Sequence, residues 1–151
     1  MRVLFTKVTD DQHRFAVVRD DGSEDSADLE TRSLLLHDLV HFALEAEAGL
    51  TCAFFGLLAS GMPLARLNDR ESPPDEEELW LAESLVGPMQ SVFGGRLSRE
   101  RYIEIARERG YDFVDAAFVE KVCERLRRLV GHWRGTAIRS TMALDWPPHD
   151  D

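Results

Sequence analysis

The chain has 151 residues, of which 44% are hydrophobic and 30% charged, and its net charge is −10. A chain of this length can bury roughly 70% of its unfolded surface without a disulfide or a metal, and its composition excludes extensive disorder. The apolar run after Met1 is too short for a signal peptide, and no later stretch is long enough to cross a membrane. We therefore expect one cytoplasmic domain over residues 1–151 that does not bind membranes.

The negative charge is concentrated in the first two thirds of the chain. Residues 1–95 carry seven basic and 18 acidic side chains, whereas residues 96–139 carry eleven basic and seven acidic ones. Such an acidic chain repels nucleic-acid phosphates, so we expect no nucleic-acid binding. The arginines of residues 96–139 alternate with glutamates at helical spacing, which is typical of a solvated, salt-bridged helix face.

The first 30 residues predict an antiparallel β-meander. Residues 2–8 and 13–19 are rich in β-branched and aromatic side chains, as strands are. A turn signal containing Gly22 separates the second strand from a third over residues 24–30, because glycine tolerates the positive φ that hairpin turns need. The third strand is acidic, which suits an exposed sheet edge that must not pair with another chain.

About five helices are predicted to follow the meander. Residues 68–75, which precede the helix that starts at Glu76, are predicted to form the one obvious exposed loop. Capping residues and glycines define the helical segments: Thr31 or Ser33 to near Gly49, Thr51 to near Ser60-Gly61, Glu76 to a kink or end at Gly87-Pro88, Ser98 to Gly110, and Asp112 or Asp115 to Gly131.

Alternating side chains predict a final strand over residues 137–146. Ile138, Met142, Leu144 and Trp146 fall on one side of it and polar residues on the other. We expect this strand to join the N-terminal sheet, which gives an α+β fold with the chain ends together and a flexible tail over residues 147–151.

The cysteines and tryptophans are expected in the interior. Cys52 and Cys123 share no metal-type spacing and are predicted to be reduced, buried thiols. The three tryptophans are scattered along the chain and are interpreted as core or interface residues, with the core favoured.

The pattern with the most chemistry is the HDLVH sequence of residues 37–41, followed by Glu45. Each residue of an α-helix advances by about 100°, which places His37, Asp38, His41 and Glu45 on one narrow polar stripe. Apolar side chains occupy most of the remaining circumference. The stripe is either the solvated side of an amphipathic helix or part of a metal site.

The metal interpretation follows from the spacing of the histidines. Two histidines four residues apart can direct their nitrogens at one divalent metal such as zinc, so His37 and His41 are candidate ligands. Glu45, one turn further on, is a candidate third ligand. Because one straight helix does not easily complete a tetrahedron, His132 or an aspartate from another element is the alternative.

Three resemblances extend this interpretation. The HDLVH sequence resembles the H-E-x-x-H motif of zinc peptidases, which implies that Asp38, one methylene shorter than glutamate, is the general base. The His37-Asp38 pair resembles that of the all-helical HD phosphohydrolases, whose first histidine lies upstream, where this chain has only His13 in a predicted strand. Residues 36–61, with their later Gly-Leu and Ala-Ser-Gly segments, resemble short uncharacterised bacterial proteins, which implies no activity.

Two functional hypotheses follow. The absence of phosphate-binding and serine-hydrolase motifs, together with the acidic residues 1–95, favours a non-catalytic binding or regulatory module for a basic protein partner, or a homodimer. The alternative is a small metal-dependent hydrolase that uses the polar stripe. The second hypothesis requires the stripe to line a pocket where an acidic or histidine side chain from another element converges.

Overall fold

A computed structural model describes residues 1–149 and shows an α+β fold, in which helices cover one face of an antiparallel sheet. Within these residues the chain forms four strands and six helices, two of the helices being short. The elements in chain order are β1 (Arg2–Lys7), β2 (Gln12–Val18), β3 (Glu24–Glu30), α1 (Thr31–Ala48), α2 (Phe54–Ala59), α3 (Leu64–Leu67), α4 (Glu77–Phe93), α5 (Arg99–Glu108), α6 (Ala116–Gly135) and β4 (Thr141–Asp145).

The sheet has the strand order β3-β2-β1-β4, with all neighbours antiparallel. The predicted N-terminal meander is therefore confirmed, and the acidic β3 lies at an edge. The predicted C-terminal strand also joins the sheet, since Val3 pairs with Leu144 and Phe5 with Met142. It is shorter than predicted, because Arg139 has a positive φ of 66° that interrupts the extended backbone.

Period-two burial orients the sheet. Val3, Phe5, Phe15, Val17 and Met142 all point to the buried face. Helix α1 packs against β2 and β3 and also contacts α2, α4 and α6. Because neighbours surround it, α1 is buried on more than one side, and this burial includes the polar stripe.

The starts of α1 and α2 differ from the predictions. Helix α1 has Glu30 at its N-cap without a side-chain cap bond, and Ser33 donates its hydroxyl to Glu30. Helix α2 follows Ala53 instead of Thr51, again without a cap from that residue. The predicted caps at Thr31, Ser33 and Thr51 are therefore wrong.

Helix α4 continues through Pro88, so the predicted helix end at Gly87-Pro88 is wrong. Proline has no N–H to donate to the carbonyl of Ser84 one turn earlier. That carbonyl instead accepts a hydrogen bond from the guanidinium of Arg109. A donor from outside the helix thus replaces the one that Pro88 lacks.

The last two helices match their predicted starts. Ser98 caps α5 and Asp115 caps α6, each by accepting a backbone N–H of the first turn. The predicted salt-bridged surface is present, since Glu120 pairs with both Arg99 and Arg127. Helix α6 runs past the predicted end at Gly131 to Gly135. No helix among residues 1–149 is long and apolar enough to cross a membrane.

Residues 68–75 lie outside the helices and strands, and all of them except Pro74 are exposed. Cys52 is exposed, in contrast to the prediction, because it precedes α2 in a surface turn, whereas Cys123 is buried. Trp80 is 50% exposed and is not a core residue. Residues 150 and 151 of the predicted tail lie outside the described residues.

Candidate metal centre

The polar stripe of α1 points into the protein. His41 is 2% exposed and Glu45 is fully buried, while His37 and Asp38 are partly buried. His37, Asp38 and His41 line one pocket between α1, α4 and the segment that joins α2 to α4. The interpretation of the stripe as a solvated helix face is therefore wrong.

A carboxylate from α4 converges on the two histidines. Oε1 of Glu83 lies 3.2 Å from Nε2 of His41. The potential ligand atoms of His37, His41 and Glu83 all lie within 4.8 Å of one another. Two imidazole nitrogens and one carboxylate oxygen are a donor set that suits zinc and other divalent transition metals.

Glu45 supports His41 from the other side of the ring. Its Oε1 lies 2.9 Å from Nδ1 of His41 and also accepts the N–H of Phe54, and its Oε2 accepts the N–H of Phe55 at 3.0 Å. The structure therefore places Glu45 behind the ring, outside the converging ligand group. A carboxylate in this position fixes the tautomer and the orientation of a ligating histidine.

The two carboxylates set the charge on His41. Burial by itself lowers the pKa of His41, but its hydrogen bonds to Glu45 and Glu83 outweigh burial and raise that pKa to about 9. The hydrogen bond to His41 in turn lowers the pKa of Glu83. Burial, followed by the charge of His41, lowers the pKa of His37. Without a metal, a proton on Nε2 of His41 lies between His41 and Glu83, where a metal cation would otherwise bind.

Asp38 lies in the wall of the pocket beside the ligand group. Burial raises the pKa of its carboxyl to about 7, and the nearby charge of His41 opposes this shift. The carboxyl therefore exchanges a proton near neutral pH, which suits a general acid–base group. This position is compatible with the role that the zinc-peptidase resemblance implies for Asp38.

The pocket has a volume of about 600 Å³, within the range of small-molecule sites. Loop 68–75 contributes Arg70 to the pocket. Burial is the main cause of the lowered pKa of His37, and the hydrogen bond to His41 is the main cause of the lowered pKa of Glu83. The positive charge of Arg70 lowers both pKa values slightly further. Most of the wall is apolar and comes from these side chains: Phe15, Leu29, Leu34, Phe54, Leu64, Leu67, Pro73, Leu79 and Trp80.

The other histidines considered from the sequence lie elsewhere. His132 is exposed on α6 and does not line the pocket. His13 packs its ring 5.8 Å from the ring of Trp133 and places Nδ1 3.0 Å from the hydroxyl of Thr31. The upstream histidine of an HD-phosphohydrolase arrangement is thus not brought to His37.

Glu83 was not among the ligands predicted from the sequence. Its approach to His41 depends on how α1 and α4 pack, which the local sequence does not specify. A usable signal was nevertheless present, because Glu83 is the only charged residue in the apolar stretch of residues 79–93. A single carboxylate in such a stretch indicates a specific partner.

Comparisons with known proteins add no family or activity. No protein-family model matches the chain, and neither does a curated protein or a solved structure. The geometry of the pocket is therefore the basis on which a function is assigned.

Proposed function

We propose that this protein is a small metal-dependent hydrolase in which His37, His41 and Glu83 hold a divalent metal such as zinc. The observation that carries the proposal is the convergence of three ligand atoms, from two helices, at the wall of a 600 Å³ pocket. Three protein ligands leave a coordination position for water or substrate, as catalytic zinc sites do. A structural zinc site would normally supply a fourth protein ligand.

Each neighbouring residue has a role in this proposal. A divalent cation lowers the pKa of a coordinated water and polarises a substrate carbonyl. Glu45 holds Nδ1 of His41 so that Nε2 faces Glu83. Asp38 is assigned to accept a proton from the attacking water and pass it to the leaving group, because its carboxyl lies in the pocket wall next to the ligand His37.

The hypothesis of a non-catalytic binding module remains a prediction, as do a basic protein partner, a homodimer and a cytoplasmic location. The acidic residues 1–95 are its support. The resemblance to short bacterial proteins also stays a prediction. The pocket favours the hydrolase, because a protein-binding surface does not require imidazoles and a carboxylate to converge on one point.

The first test is elemental analysis of tag-free protein purified without chelator. We expect close to one equivalent of zinc, iron, nickel or manganese in the wild-type protein, and none in a His37→Ala/His41→Ala double variant. Loss of His41 leaves Glu45 buried without its ring partner and can unfold the protein. A Glu83→Gln variant is therefore included, because the Glu83 side chain is 47% exposed and we expect the fold to tolerate its substitution.

The second test separates metal binding from catalysis. Hydrolysis of p-nitrophenyl acetate by the metal-loaded protein should fall at least 100-fold in Asp38→Asn, with the metal content unchanged. An exposed-histidine variant, His132→Ala, should keep both the metal and the activity. A folded wild-type protein that binds none of these metals would overturn the proposal. A metal-loaded protein without turnover would reduce it to a metal-binding protein.

A further inference from the structure

The loop of residues 68–75 places one positively charged side chain, Arg70, at the pocket. Arg70 lines the pocket, and its side chain forms no hydrogen bond or ion pair with any part of residues 1–149. The shape of the loop is held by other groups, since Asp69 accepts the N–H groups of Glu71 and Ser72, and Arg66 donates to the carbonyl of Ser72. The guanidinium of Arg70 is therefore available to a ligand.

An apolar surface accompanies this cation. Trp80 presents half of its large side chain to solvent while lining the pocket, and Phe54, Leu64 and Leu67 lie in the same wall. A half-exposed tryptophan in the wall of a pocket provides a rigid surface for an apolar group. The pocket thus combines a metal-type ligand group, an arginine and an apolar wall.

The charges around the pocket indicate how much negative charge a ligand can carry. Asp38, Asp69 and Glu83 all line the pocket, and Arg70 is its only arginine. A dianionic phosphate needs several donors, such as a glycine-rich loop or an arginine cluster, whereas the pocket offers one guanidinium beside the metal-type ligand group. A single guanidinium matches a single carboxylate, which it can bind through two parallel hydrogen bonds.

We propose that the substrate is a small amphipathic carboxylate that contains a hydrolysable amide or ester. Its carboxylate pairs with Arg70, its apolar substituent packs against Trp80, and its scissile carbonyl lies at the His37–His41–Glu83 group. Hydrolysis adds water across the bond: the carbonyl carbon gains the hydroxyl, and the leaving nitrogen or oxygen gains a proton. No oxidant or second substrate is needed. This inference rests on the proposed function and adds the substrate class to it.

Cobalt-substituted protein gives a binding test that does not depend on turnover. The two probes are 2-mercapto-3-phenylpropanoate and its uncharged amide, whose thiolates are detected by the visible spectrum of Co²⁺. We expect the carboxylate probe to bind at least 10-fold more tightly than the amide. In Arg70→Gln this difference should disappear through weaker binding of the carboxylate alone. Arg32→Gln, which removes an exposed charge that does not line the pocket, should retain the difference.

The possible outcomes separate the two proposals. A protein that shows no cobalt spectrum overturns both the hydrolase and the substrate class. A cobalt spectrum with equal affinity for the two probes overturns the substrate class and leaves the metal site standing. If phenyl phosphate displaces the thiol more effectively than phenylacetate, and does so only when Arg70 is present, the ligand is a phosphate and the carboxylate assignment is wrong.

Discussion

Glu45 and Glu83 contact opposite nitrogens of the same imidazole, and only one of them belongs to the ligand group. Glu45 was accessible to sequence analysis because it lies four residues after His41 in the same helix. The role of Glu45 could not be predicted from the sequence, because it depends on which nitrogen of the His41 ring faces the Glu45 carboxylate. The ring turns Nδ1 towards Glu45 and Nε2 towards α4, and this orientation is set by packing between helices.

Substitution of Glu45 by glutamine should weaken metal binding without removing any ligand. We expect an affinity loss of roughly 10- to 100-fold, because the amide holds the His41 ring less firmly and reduces its basicity. Isothermal titration with zinc measures this effect. The matched control is Glu78→Gln, since Glu78 accepts the N–H groups of Thr51 and Cys52 but does not touch His41. An equal loss in both variants would assign the effect to the order of residues 51–55.

His13 should make the protein less stable in mild acid. Burial lowers its pKa below the ordinary value of 6.5, and its Nε2 has no hydrogen-bond partner within the described residues. Lys7 is a cation close to His13, since it pairs with His13 between β1 and β2 and contacts the Trp133 ring that packs on His13. Below pH 6.5 the unfolded chain thus binds more protons at this site than the folded one, so the stability present above pH 6.5 is lost as the pH falls.

Urea unfolding at pH 7, 6 and 5 tests this effect. The wild-type free energy of unfolding should fall by more over this range than that of His13→Phe, which cannot be protonated. Thr31→Ala, which removes the hydroxyl partner but keeps the buried ring, should retain the wild-type dependence on pH. Parallel curves for wild type and His13→Phe would show that the ring does not titrate in this range.

At the scale of elements, α4 shows how a contact from outside a helix overrides a local signal. The sequence predicted a kink or an end at Gly87-Pro88, but α4 continues to Phe93. The carbonyl that Pro88 leaves without a partner accepts a hydrogen bond from Arg109, which follows α5. A local sequence pattern cannot indicate a donor that lies 25 residues away in the chain. Short-range signals worked where no distant group intervened, as at the caps Ser98 and Asp115.

A double-mutant cycle tests the exchange of donors in α4. In the wild-type background, Arg109→Met should reduce the free energy of unfolding by about 1 kcal/mol, because the Ser84 carbonyl loses its bond. In a Pro88→Ala background the new N–H can reach Ser84, so the same substitution should cost less than half as much. Chemical denaturation of the four proteins gives the coupling. Equal costs in both backgrounds would show that solvent satisfies the carbonyl without Arg109.

At the scale of the whole molecule, the candidate metal site joins elements that are distant in sequence. Two of the candidate ligands come from α1 and one from α4, and α1 also packs on the sheet. The sequence predicted the sheet, including its C-terminal strand, because the period-two pattern of a strand can be recognised without knowing which elements pack against it. It did not predict the pocket, because that depends on the approach of α4 and loop 68–75 to α1.

Zinc should therefore stabilise the whole fold. At a free concentration 100-fold above its dissociation constant, a ligand that binds only the folded state adds about 2.7 kcal/mol. For a chain of this size that corresponds to a rise in Tm of roughly 5–10 °C. Calorimetry with zinc and with EDTA measures it. The rise should shrink in Glu83→Gln and persist in Glu77→Gln, an exposed carboxylate of the same helix. An unchanged rise in Glu83→Gln would exclude Glu83 as a ligand.

The bonds from Glu45 to the backbone N–H groups of Phe54 and Phe55 have a practical consequence. These two amides share one carboxylate with the His41 ring, so anything that tightens or loosens that ring alters how often they open to solvent. Zinc gives no signal in most spectroscopic methods, but deuterium uptake at the amides of Phe54 and Phe55 can be measured. Deuterium uptake at the start of α2, followed by NMR or mass spectrometry, should therefore report whether a metal occupies the candidate site.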